Sequence, residues 1–379
     1  MACTEVGLVQ DARAVLETNL RTGALPEVWV RFPRQLGDVI FAIPFFGSLQ
    51  RAWNAVAKDI GVELRWVAVG HAIGAAIFSE ASPDLVAESV IEKGGSGKPD
   101  PWHLLRRWRQ RRPVAVINLS QSVRLALAAW LARVPIRAGD VNNHLGILYH
   151  HSFTYRDLDI HIAERFRPLL QQLAGTDDLR WEPMTPERFG GRKGPEKLGT
   201  AGWKGEPYVT CAFGTRGYNK RWFPEEVKWP ALARLLQGQG LGVVWLGGPD
   251  EQDLGRQLAV LAPGSYDLTG KTSLPEACAL QHGAYGNVAV DTGLAHTGAA
   301  TGRPTLTLLG GSQDPLINPF GPYAVGIRGP AAETLEPRAA YETHGNPAHR
   351  VSPQRVANLL HALAAEAQGR TLPVEVGDG

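Results

Sequence analysis

Asn287-Val-Ala-Val-Asp-Thr-Gly-Leu-Ala-His-Thr-Gly-Ala-Ala300 reads as a buried strand that ends at Asp291 and passes at once into a helix of small residues. A short apolar run with no polar alternation suits a strand covered on both faces. The runs Tyr208–Phe213, Gly242–Leu246 and Thr305–Leu309 have the same character and are separated by helix-length segments. Strands alternating with helices predict a parallel sheet with helices on both sides.

The first half repeats the pattern. Strands are expected at Val28–Phe32, Leu64–Val69 and Val114–Leu119, with helices at Asp11–Leu20, from Asp38 towards Ile60, and at Trp102–Arg111 and Ser122–Val134. Between residues 176 and 206 the composition turns to Gly, Pro, Lys and Glu, and this stretch is read as an interdomain linker. The last helix takes Ser352 as N-cap and Pro353 in its first turn. A chain of 379 residues suits two domains. Two successive αβ domains predict a cleft at the carboxyl ends of both sheets, where open α/β sheets bind ligands.

Composition narrows the function. A net charge of +2 gives no argument for nucleic acid. Cys3, Cys211 and Cys278 are too scattered for a disulfide framework or a zinc site and fit a reducing compartment. The start of the chain lacks a basic and apolar secretory pattern, and the longest apolar run, Val39–Phe46, is too short to span a bilayer. The expectation is a cytoplasmic protein. No Gly-x-Gly-x-x-Gly follows a strand, which argues against a nicotinamide dehydrogenase.

Four stretches carry chemistry. In Arg31-Phe-Pro-Arg-Gln-Leu-Gly-Asp-Val-Ile40, Asp38 stands at a strand-to-helix junction. It is either a helix cap or a general base that takes a proton from a hydroxyl. After the strand ending at Asp291, Thr292, Gly293 and Leu294 open a helix whose first N–H groups make a seat for phosphate. Gly293 admits close approach and His296 lies one turn in; the alternative is a packed helix with a core histidine. The loop Phe213-Gly-Thr-Arg-Gly-Tyr-Asn-Lys-Arg-Trp222 offers Thr215, Arg216, Lys220 and Arg221 to a departing pyrophosphate, or else is a solvated basic loop. Gly247-Gly-Pro-Asp-Glu251 places Asp250 where an acid commonly holds ribose hydroxyls.

Together these stretches resemble glycosyltransferase family 9, the ADP-heptose:lipopolysaccharide heptosyltransferases. The resemblance runs from Val28 to about Leu363 and rests on Leu36-Gly-Asp-Val39, Asp291-Thr-Gly-Leu-Ala-His296, Gly302-Arg-Pro-Thr305, and Lys220 set before Trp222 and Pro224. It implies an α/β protein of GT-B fold, two Rossmann-like domains whose parallel sheets face a central cleft. Residues 1–175 would bind acceptor, 207–350 would hold the nucleotide-sugar donor, and 351–379 would form a terminal helix and tail. By the same resemblance Asp38 falls on the catalytic base, Thr215 and Lys220 on phosphate contacts, Asp250 on the ribose acid, and Asp291–His296 on the donor-phosphate turn. It implies an inverting transfer from ADP-heptose to a glycolipid or oligosaccharide acceptor without cofactor or metal. Two departures are visible: Gly310-Gly-Ser-Gln-Asp-Pro315 replaces Gly-Pro-Thr-Asp-Pro, and Arg216 replaces a threonine. A different nucleotide-sugar, or binding without turnover, are the alternative readings.

Other signals are weaker. Asp157-Leu-Asp159 has a metal-binding form that arises easily by chance, and Gly94-Gly-Ser-Gly-Lys98 lacks the remainder of a P-loop. His144, His150, His151 and His161 lack metal-ligand spacing. Arg106-Arg-Trp-Arg-Gln-Arg-Arg112 is read as a solvated helix face, or as a contact with the inner membrane surface or a phosphorylated glycolipid.

Overall fold

Every run read above as a strand is one, and most of their residues are fully buried; the longest apolar run, Val39–Phe46, is helical. The computed structural model describes residues 7–20, 25–92, 100–120, 122–140, 146–153, 160–310, 315–329 and 347–369. Asp157, Asp159, His144 and the Gly94–Lys98 turn lie outside them. The chain divides into two units, residues 1–182 with 187–189, and residues 183–186 with 190–379.

The first unit holds β1 (Glu27–Arg31), β2 (Arg65–Gly70), β3 (Glu88–Ile91), β4 (Ala115–Asn118), β5 (Ile136–Asp140) and β6 (His151–Phe153). They form one parallel sheet in the order β3-β2-β1-β4-β5-β6. Strand order reverses between β1 and β4, so the ligand crevice of this sheet lies beyond their carboxyl ends. Arg31 and Asn118 are paired there.

On one face Trp29, Val67 and Val116 are covered by the helices Pro101–Arg111 and Val123–Leu131, through Leu104, Trp108, Leu125 and Ala128. The helix Leu36–Asp59 follows β1 and runs straight through Pro44. An interior proline costs about 3 kcal/mol. Here every residue from Val39 to Gln50 is buried, and that burial outweighs the lost hydrogen bond. At the amino end of the sheet Arg107 and Arg111 stack over Trp29 at 5.4 and 5.1 Å and pair with Glu88, Arg111 also with Glu27. Two of the five arginines of the basic run are thus turned into the protein. Bonds from Arg111 and Arg107 hold the Glu88 carboxyl below its ordinary range, although burial opposes them.

The second unit contains β7 (Tyr208–Ala212), β8 (Gly242–Leu246), β9 (Tyr266–Asp267), β10 (Gly286–Val290), β11 (Thr305–Leu308) and β12 (Ala324–Ile327). Their order, β12-β11-β10-β7-β8-β9, is the first sheet's order again when counted from β7. The reversal falls between β7 and β10. Phe213, Trp222, Trp229 and Trp245 fill the core on one side, with Trp222 and Trp229 edge to face at 5.0 Å. The Trp222 indole donates to the Val351 carbonyl at 3.0 Å, and Ser352 caps the final helix Pro353–Ala367 by accepting from Arg355 N at 3.2 Å.

Between the sheets the chain is ordered at short range. The Met184 amide donates to Ala300 O in the second unit, at 2.8 Å. Phe189 packs on Phe78 in the first unit, with centroids 6.0 Å apart, and Ser82 N donates to Arg188 O. Gly191, at φ +84°, lies so close to Pro275 that a Cβ would sit 2.0 Å from its carbonyl oxygen. Among the described residues no helix is long and apolar enough to cross a membrane.

Candidate active site

In the second unit the switch point brings two of the expected loops together. Thr210 on β7 donates to Asn287 Oδ1 on β10 at 2.6 Å, and Asn287 donates to Thr305 on β11 at 3.2 Å. These buried bonds fix the register of the three strands. Just beyond the strand ends, Lys220 Nζ lies 2.8 Å from Asp291 Oδ2, and the Thr215 hydroxyl donates to the Asp291 carbonyl at 3.3 Å. Asp291 is buried, whereas Lys220 is one-third exposed. The carboxylate therefore holds the ammonium at the rim of the crevice without removing it from solvent.

The helix Gly293–Ala300 starts directly beside this pair. Its N-cap Thr292 is extended, at φ −148° and ψ 167°, and its side chain makes no capping bond. The N–H groups of Gly293 and Leu294 have no acceptor within the helix, whereas that of Ala295 donates to Thr292 O at 3.0 Å, and the helix dipole adds positive potential. Gln281 secures the helix start from below, donating to Leu294 O at 2.7 Å and accepting from the Thr297 hydroxyl at 2.6 Å. Thr292, Gly293 and Leu294 are partly exposed; His296, one turn on, is buried with 8% exposure. Arg216 is exposed beside Thr215.

After β8, Asp250 points to solvent, and it is the next residue, Glu251, that turns inward. Its carboxylate accepts from Gly248 N at 2.6 Å. It lies against two glycines: a Cβ at Gly214 would fall 1.9 Å from it, and one at Gly247 2.6 Å. Burial raises the Glu251 pKa, partly offset by the Gly248 amide. Sequence reasoning missed this residue. Its signal was a glycine just beyond each of the strand ends beside it, Gly214 two residues after β7 and Gly247 directly after β8.

In the first unit Asp38 is the third residue of the helix Leu36–Asp59. The N-cap is Gln35, whose side chain makes no capping bond, so Asp38 is not the cap. Burial raises its pKa above the ordinary aspartate value. A polar network underlies the same strand ends. Arg31 and Glu92 form a buried bidentate pair at 2.6 and 3.1 Å, Asn118 donates to the Tyr149 hydroxyl at 2.8 Å, and Ser120 donates to Asn118 Oδ1 at 2.9 Å. Burial pushes Tyr149 up to about 12.

Comparison with known proteins agrees with this architecture. The family model described as glycosyltransferase family 9 (heptosyltransferase) matches residues 102–343. Lipopolysaccharide heptosyltransferase 3 of Escherichia coli is 26% identical over 296 residues, which span 75% of this chain and 83% of that protein. Lipopolysaccharide heptosyltransferase 1 of Salmonella typhimurium is 34% identical over 118 residues, 31% of this chain and only 36% of that protein. Among solved structures, the ADP-heptose lipopolysaccharide heptosyltransferase II of E. coli superposes with a TM-score of 0.72 at 20% identity, covering 90% of this chain and 99% of that one. The fold is that of the GT-B heptosyltransferases.

Proposed function

This chain belongs to glycosyltransferase family 9, the heptosyltransferases, and on that premise we propose that it transfers heptose, or a related sugar, from an ADP-sugar to a hydroxyl of a lipopolysaccharide core or similar glycolipid. The reading assigns the donor to the second unit and the acceptor to the first. The observation that carries it is the Lys220–Asp291 pair beside an uncapped helix start at the β7/β10 switch point.

In this mechanism the diphosphate lies on the N–H groups of Gly293 and Leu294. Thr215, Lys220 and the exposed Arg216 meet the charge that grows as ADP departs. These groups supply positive potential from the protein itself, so the reaction needs no metal. Asp38 takes the proton of the acceptor hydroxyl. The oxygen then bonds to the anomeric carbon opposite the leaving phosphate, that carbon's bond to the phosphate oxygen breaks, and configuration inverts. A carboxyl whose pKa is raised by burial is a stronger base than a solvated one, which suits the task. Ribose hydroxyls fall to an acid after β8. Asp250 was the sequence candidate, and the inward carboxylate of Glu251 supports that neighbour as the closer contact. Such an enzyme would work at the cytoplasmic face of the inner membrane.

The test is Asp38→Asn, assayed for ADP binding by calorimetry and for sugar transfer to a glycolipid. Turnover should fall by roughly 100- to 10,000-fold while ADP affinity stays put. Near-normal transfer would remove Asp38 from the mechanism. Loss of transfer by the unmodified chain with every ADP-sugar offered, despite tight nucleotide binding, would favour a nucleotide-sugar binder without turnover.

A further inference from the structure

We propose that the outer face of the helices Pro101–Arg111 and Val123–Leu131 docks the first unit on an anionic phospholipid bilayer. Both helices cover the same face of the first sheet, burying Leu104, Leu105 and Trp108 from one and Leu125, Ala128 and Ala129 from the other. Their opposite sides therefore form one continuous outer surface. It carries Trp102, Arg106 and Arg109 on the first helix and Arg124, Leu127 and Trp130 on the second, all exposed. Trp102 is 61% exposed and Trp130 49%; among the described residues they are the two exposed tryptophans of a chain that contains 11.

The pattern selects its partner. Neither helix contains an acidic residue. Of the nearby acids, Glu27 and Glu88 are already neutralised by Arg107 and Arg111 on the inner side, and Asp100 caps the first helix, accepting from Trp102 N at 3.0 Å. What remains outside is positive charge with indoles between, the composition of a surface that meets lipid headgroups and the acyl boundary at once. A protein partner of the same polarity would need a matching acidic and apolar face. A bilayer containing phosphatidylglycerol offers both features everywhere. The inference does not depend on the transfer reaction proposed above.

The experiment is co-sedimentation of the full chain with vesicles of phosphatidylcholine alone or mixed with phosphatidylglycerol. Binding is expected to the mixed vesicles only and to fade as sodium chloride is raised, because the attraction is screened. Arg106→Gln, Arg109→Gln and Arg124→Gln together should lower the partition coefficient about 100-fold, about fivefold for each arginine. Thermal unfolding of this variant should match that of the parent chain. With bromine-labelled lipids, tryptophan fluorescence should be quenched in the parent and not in the Trp102→Phe, Trp130→Phe double variant. Equal binding to neutral vesicles, or unchanged binding by the triple variant, overturns the proposal. So does a parent chain that dimerises through this face and sediments with neither vesicle.

Discussion

Replacing Lys220 by Met isolates the charge arrangement on which the donor site rests. Lys220 Nζ and Asp291 Oδ2 are 2.8 Å apart. Coulomb's law gives about 6 kcal/mol at an effective dielectric constant near 20, and about 1.5 kcal/mol at that of water. Lys220 is one-third exposed, so solvent screening places the pair towards the lower value. The two partners are not equivalent. Without Asp291, Lys220 swings into water; without Lys220, the buried Asp291 loses the ammonium 2.8 Å away. Lys220→Met should therefore cost about 2–3 kcal/mol and Asp291→Asn about 1 kcal/mol, with a coupling of about 1–2 kcal/mol in a double-mutant cycle. Urea unfolding of the parent, both single variants and the double variant provides the numbers. Single effects that add to within about 0.3 kcal/mol would refute the reasoning.

Three further outcomes are expected. Gly214→Ala puts a Cβ 1.9 Å from the Glu251 carboxyl, which is the movable end of a side chain. The fold should survive with a loss of about 1 kcal/mol from the broken Gly248 contact, while ADP affinity measured by calorimetry drops. Transfer should persist in excess EDTA; full loss, restored by magnesium or manganese, would contradict the charge assignment at the diphosphate. The rate should climb with pH as Asp38 loses its proton, with an inflection above the ordinary value of 3.8, and Asp38→Asn should abolish that limb.

The sequence was most legible where burial is local and continuous. Runs such as Gly242–Leu246 are strands because nothing in them needs water, and each strand read in this way is present to within a residue or so. Weakly apolar strands escaped notice, among them the two-residue β9 and the half-exposed β3. The helix through Pro44 was legible only because the apolar run on both sides of the proline is so long. Long-range pairing has no local signature. Arg107 and Arg111 looked like their exposed neighbours, yet they find Glu88 and Glu27 19 and 84 residues away in sequence. The chemistry-bearing turns could be read because a strand end followed by Gly and a hydroxyl residue is a local pattern. Which of two adjacent acids turns inward, Asp250 or Glu251, depends on the glycines of another loop.

The division of the chain near residue 186 has a practical consequence for dissecting it. The polypeptide gives residues 183–186 to the second unit, then returns 187–189 to the first before continuing at 190. Any single scission in this interval leaves one fragment short. A cut after 182 deprives the first half of Phe189, which packs on Phe78. A cut after 189 deprives the second half of Met184, whose amide binds Ala300 O. Separately expressed halves should therefore overlap, each carrying its own copy of 183–189.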